Sequence, residues 1–143
     1  MRNYRFKRQT ATFGVFVGVT AEALRETTAP REVERISDRV WMDTSGVTDG
    51  FRHTSLTLNQ HEVGYLRTGL RHVADDITRA EPAGHIIVVV HAVEIVEVDY
   101  MEVALAPAIA GWAAEEFGFT HHPADIRLDA QTNQYAVHWR PRP

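Results

Sequence analysis

The chain has 143 residues, enough for one domain and too few for two. Its 44% hydrophobic and 24% charged content is that of a globular protein rather than a disordered one. The absence of cysteine excludes disulfides, thiolate metal sites, iron–sulfur clusters and cysteine nucleophiles. No apolar run approaches the ~20 residues that a helical membrane span needs. The basic start, Met1 to Arg8, is not followed by an apolar segment and a small-residue cleavage site, so no signal peptide is expected and a soluble cytoplasmic protein is. A net charge of −4 argues against a surface coated in positive charge for nucleic acid. The cations are nonetheless uneven: Arg2, Arg5, Lys7 and Arg8 lie at one end and Arg140 and Arg142 at the other. Lys7 is the only lysine, which arginine-biased codon usage explains more simply than phosphate recognition does.

Alternation predicts a first strand over Thr10–Ala21, with Ala11, Phe13, Val15, Val17 and Val19 on one face. Gly14 and Gly18 share the other face, which leaves room for a close approach or marks a bulge. A strand is expected near Arg39–Met42, a loop over Thr44–Gly50 and a short strand over Thr54–Leu58, while the stretch before Arg39 stays undecided. A helix then begins at Asn59. Asn59 and Glu62 form a capping box, Leu58 and Val63 a hydrophobic staple, and Val63, Leu66, Leu70, Val73 and Ile77 one apolar stripe. Residues His85–Val98 read as the core strand. Both of its faces are apolar up to Val90, so it is central and covered on both sides or at a partner interface. Straight, it would span about 45 Å, so a bend, a bulge or a projecting end is expected near Glu94–Glu97. Asp99, Glu102, Val98 and Val103 repeat the same start signals for a second helix, with a kink expected at Pro107 and an end at Gly118. A hairpin follows, with Ile126, Leu128 and Ala130 on one arm and Tyr135, Val137 and Trp139 on the other.

The order is strand, strand, strand, helix, strand, helix, hairpin. It predicts one α+β domain: a two-layer sandwich of a mixed β-sheet and two helices, plus a C-terminal β-hairpin. Three segments resemble the fourth domain of translation elongation factor G, a ribosomal protein S5 domain 2-like fold. They are Lys7-Arg-Gln-Thr10 with Phe13–Val19, Asn59–Ile77 with Pro82-Ala-Gly84, and Val98-Asp-Tyr-Met-Glu102 leading into an alanine-rich helix. The resemblance covers most of residues 5–118 and leaves 119–143 as a hairpin extension. It implies a ribosome- or RNA-associated module whose tip loops carry Ala11, Thr12, Glu97 and Asp99. Ala11 and Thr12 replace the family's glycine pair, and Glu97 replaces its histidine. Glu97 thus puts an anion where the family meets RNA. No GxxxxGK[ST] phosphate loop is present, so the family's GTPase chemistry is not implied.

The N-terminal arm, Arg2 with Tyr4-Arg-Phe-Lys-Arg8, interleaves rings with cations as an RNA-binding strand would. The same pattern fits an edge strand whose charges discourage aggregation, which is the favoured reading. His85 and His91 lie on one face of the core strand but about 20 Å apart, too far to share an ion. His121 and His122 with Asp125 read more simply as a polar loop than as a metal site. Neither a cofactor nor a catalytic residue is assigned. The leading expectation is a non-enzymatic binding module with the ribosome, structured RNA or a second copy of itself as partner. Self-association would use a sheet face carrying Phe16 and alternate residues of 86–93, unless the hairpin covers that face. The alternative is a small metabolic enzyme or accessory protein with its site near His91, Glu94 and His121.

Overall fold

The computed structural model describes residues 1–121 and 124–141; His122 and Arg142, weighed above, lie outside the described residues. The fold is α+β: two helices on a mixed six-stranded sheet, with a separate two-stranded hairpin. Strand β1 (Arg2–Gln9) pairs antiparallel with β2 (Gly14–Glu26). The predicted first strand therefore begins four residues late. Thr10 closes a turn instead: its amide donates to the Phe13 carbonyl at 2.8 Å, and its hydroxyl accepts from the amides of Thr12 and Phe13. The undecided stretch contains the two-residue β3 (Glu34–Arg35), which pairs with β4 (Val40–Asp43). Thr48–Asp49 forms β5, but Thr54–Leu58 is not a strand; Ser55 makes only an isolated bridge to Thr48.

Helix α1 (Gln60–Ala80) starts at the predicted capping box: Glu62 N donates to Asn59 Oδ1 at 2.8 Å and Asn59 N donates to Glu62 Oε1 at 2.9 Å. Leu66, Leu70, Val73 and Ile77 are buried, as their spacing requires. At its other end, the Arg39 guanidinium donates to the carbonyls of Thr78, Glu81 and Gly84, which the helix itself cannot satisfy.

The core strand, β6 (His85–Ile95), is central. It pairs antiparallel with β2 on one side and parallel with β4 and β5 on the other, giving the order β1-β2-β6-β4-β3. Of the bend, bulge or projecting end expected near Glu94–Glu97, the structure has an end: the strand stops at Ile95. The irregularity falls earlier, where Ala21 pairs with Val90 but Thr20 with Ala92, leaving His91 as an extra residue.

The second helix, α2 (Leu105–Phe117), begins six residues after the predicted cap. Asp99 closes a 3-10 turn (Glu97–Asp99) and caps nothing; a second such turn spans Glu102–Ala104. The staple fails because Val98 is 93% exposed. Pro107 is consequently the third residue of the helix rather than an interior one. Its missing N–H would have had no intrahelical partner there, so no kink is required. Gly118 ends the helix in the left-handed region at φ 73°, as expected.

Strands β7 (Ala124–Asp129) and β8 (Gln134–Trp139) form the predicted hairpin, with Ile126 opposite Val137 and Leu128 opposite Tyr135. It does not cover the second face of the sheet. Trp139 stacks on His72 of α1 with ring centroids 3.8 Å apart, and Ile126 joins the core on the helical side. Both helices and the hairpin thus lie on one side.

The helices approach closely at Gly69, where an added Cβ would meet the Ala106 carbonyl oxygen and, at 2.7 Å, Ile109 Cγ2. Alanine normally favours a helix over glycine by about 1 kcal/mol, but here α1 and α2 would have to separate. Gly69→Ala is expected to destabilise the fold by about 1–3 kcal/mol, the usual range for overpacking, lowering the urea midpoint at constant m. An unchanged or raised midpoint would contradict the close approach.

Candidate functional site: the uncovered face of the sheet

On β2 the odd residues Val15, Val17, Val19 and Ala21 face the helices and are buried. Phe16, Gly18, Thr20, Glu22 and Leu24 therefore face the other way. On β1 the buried Phe6 marks the helical side, which turns Asn3, Arg5 and Lys7 outward. The bulge at His91 decides what β6 contributes. Before it, Ile86, Val88 and Val90 enter the core; after it, Val93 does. The apolar parity switches from even to odd. Without the extra residue, Val93 would be turned out and the Glu94 carboxylate turned into the core.

Glu94 instead lies on the uncovered face, yet is only 5% exposed. It sits over Gly18 and beside Gly50, and a Cβ at either glycine would run into its side chain. The close approach that the glycines on β2 predicted is therefore realised at Gly18, by a side chain of this same chain. Arg5 grips the carboxylate through Nε at 3.2 Å and Nη2 at 2.8 Å, and Asn3 Nδ2 donates at 2.6 Å. Burial alone would raise the Glu94 pKa. The hydrogen bonds from Arg5 and Asn3, with the Arg5 charge, outweigh it and hold the carboxyl below its ordinary value. The neighbouring loop is fixed by Asp49, whose carboxylate accepts from the amides of Phe51 and Arg52 at 2.9 Å each. That loop brings the Phe51 ring to 6.2 Å from Phe16.

Other polar groups of this face are paired as well, while Lys7 stands exposed. His91 Nε2 lies 2.8 Å from Glu22 Oε1, Trp41 Nε1 donates to His85 Nδ1 at 3.2 Å, and Ser45 Oγ donates to Asp43 at 2.6 Å. Apolar side chains accompany them: the buried Ile87, the half-buried Val89 and Trp41, and Leu24 and Phe51, 40% and 47% exposed. Serine bonded to aspartate and histidine bonded to glutamate do not make a nucleophile–base pair. The arrangement offers shape and apolar area.

The N-terminal arm is the edge strand β1, and its rings are not available to nucleic acid. Phe6 is in the core, and Tyr4 packs on Gly111 of α2 with its hydroxyl 3.4 Å from His121 Nε2. Arg2 lies 3.5 Å from Glu116, Arg5 holds Glu94, and Arg8 lies 4.3 Å from the Phe6 ring centroid, while Lys7 is exposed. The residues of the enzyme alternative are dispersed. Glu94 and His91 lie on the uncovered face, whereas His121 meets Tyr4 on the helical side. The tip-loop positions are brought together: Ala11 and Thr12 are exposed in the β1–β2 turn, and Glu97 and Asp99 follow β6, with Asp99 Oδ1 3.2 Å from where a Gly14 Cβ would stand. Among the described residues, no group of three or more histidine or carboxylate side chains is placed to hold a metal ion. No protein-family model matches the chain, and no curated protein matches it either.

Two outcomes test the Glu94 arrangement. A carboxyl whose pKa is lowered by folding contributes stability above the ordinary glutamate value of about 4.3 and loses it as pH falls through the lowered value. Glu94→Gln is therefore expected to flatten the acid limb of the stability–pH curve below that value; parallel curves for the two proteins would show that the pair contributes nothing. Gly18→Ala should cost about 1–3 kcal/mol in the native background and clearly less beside Glu94→Ala. Strict additivity in that cycle would mean the two residues do not touch.

Proposed function

We propose that the chain is a non-enzymatic binding module that docks a macromolecular partner on the uncovered face of its sheet, in the first place a second copy of itself. The observation that carries this reading is the one-sidedness of the fold. Both helices and the hairpin lie on one side, and the other side presents the exposed Leu24 and Phe51 and the half-buried Phe16, Trp41 and Val89. Exposed aromatic and aliphatic side chains among polar ones are what a protein interface offers.

The ribosome or structured RNA is a second reading, drawn from the resemblance to the fourth domain of elongation factor G. The meeting of the 10–13 turn with the Glu97–Asp99 turn at one end of the sheet supports it. The carboxylates of Glu97 and Asp99 at that end weigh against it.

Sedimentation equilibrium tests the first reading. The native chain is expected to dimerise with rising concentration. Leu24→Glu with Phe51→Glu, both at exposed positions, should leave a folded monomer. A native chain that stays monomeric, or a double variant that still dimerises, contradicts docking of a second copy on this face. Co-sedimentation with ribosomes at low salt, lost on removing residues 1–8, would instead favour the second reading.

A further inference from the structure

The hairpin belongs to a separate sheet, and its seam with the helical layer is not closed. Two adjoining cavities, of about 320 and 450 Å³, run along it. Both are lined by Tyr65 of α1, Val103, and Gln134 and Tyr135 of β8, so they form one groove divided by the same walls. Each falls in the size range of small-molecule sites. Towards Val137 and Trp139 the groove is apolar, floored by the buried Val103 and Ala106. At the opposite end stand Glu102, Met101 and His61.

That end is electrically unbalanced. Glu102 Oε2 accepts one neutral bond, from Asn59 Nδ2 at 3.1 Å, and no described cation pairs with it. Just behind it the buried Glu62 carboxylate also has only neutral donors, the Asn59 amide and the Tyr100 hydroxyl. Burial and the hydrogen bond it donates to Glu62, followed by the Glu62 and Glu102 charges, push the Tyr100 phenol far above its ordinary pKa. The Glu102 carboxylate, without a counter-cation at one end of an aromatic slot, attracts a positive charge, and tyrosine rings beside it attract the same charge.

We infer that this groove binds a small organic ammonium with an aromatic or aliphatic body, its charge held at Glu102 and its body lying between Tyr65 and Tyr135 toward Trp139. The three parts divide the work of recognition: the carboxylate selects the charge, the tyrosines grip the carbon adjacent to it, and the apolar end selects the length of the body. The uncovered sheet face plays no part, so the site stands or falls independently of self-association.

The test uses 2-phenylethylamine as the probe, titrated into the full chain while two-dimensional NMR spectra are recorded. Saturable shifts are expected at Tyr65, Tyr135 and Trp139, with a dissociation constant below about 10 mM. The uncharged 2-phenylethanol should bind at least about tenfold more weakly, the penalty that loss of one charge-assisted contact carries. Glu102→Gln should weaken the amine by a similar factor without disturbing the fold, because its amide oxygen can still accept from Asn59. Tyr135→Ala, on the exposed hairpin surface, should weaken amine and alcohol alike. No saturable response, equal binding of amine and alcohol, or undiminished amine binding by Glu102→Gln would each overturn the assignment.

Discussion

The register of β6 is the constraint on which the rest of the structure depends. The strand is hydrogen-bonded on both edges, by β2 and by β4 and β5, so its backbone has little freedom to slide. Its apolar side chains cannot all meet the helices under strict alternation, because Val90 and Val93 are an odd number of residues apart. The extra residue at His91 resolves the conflict. It keeps four apolar side chains of the strand in the core and turns the Glu94 carboxylate outward. A charged group placed in the core without a partner would cost several kcal/mol, which makes the bulge more than a local irregularity.

The polar features of the uncovered face follow from that one displacement. Glu94 arrives opposite Gly18, which has no side chain to obstruct it, and within reach of Arg5 and Asn3 on the neighbouring strand. The loop after β5 fits beside it because residue 50 is also a glycine. Phe51 is carried along and meets Phe16. Only the Glu94 half of the pair is buried, while Arg5 stays largely in solvent, so the net gain in stability is modest. The pair's larger effect is to fix β1 and the 49–53 loop in one arrangement, and so to set the shape of the surface around the apolar side chains.

Local signals were legible in the sequence where local contacts decide. The Asn59 box worked because both of its hydrogen bonds lie within four residues. The same signature at Asp99 and Glu102 did not start a helix, because tertiary partners compete for those side chains: Glu102 accepts from Asn59 across the fold, and Asp99 is drawn to the β1–β2 end. Pro107 then marks an early helical position, where its missing donor is harmless. The glycine pair on β2 did signal a close approach, but not which side chain would make it. The bulge left only a faint trace, the change of apolar parity after Val90. Where the hairpin docks was not encoded in its own alternation, which specifies pairing but not which surface its apolar side meets.

The central proposal is that the sheet face opposite the helices docks another molecule. Hydroxyl-radical footprinting across a range of protein concentrations addresses it most directly. Oxidation at Leu24, Phe51 and Trp41 should be ready in dilute solution and fall together as concentration rises, while Leu128 and Val98, far from that face, react equally throughout. Protection of Trp41 and Phe51 at the lowest concentration, or labelling that never changes, would contradict the account.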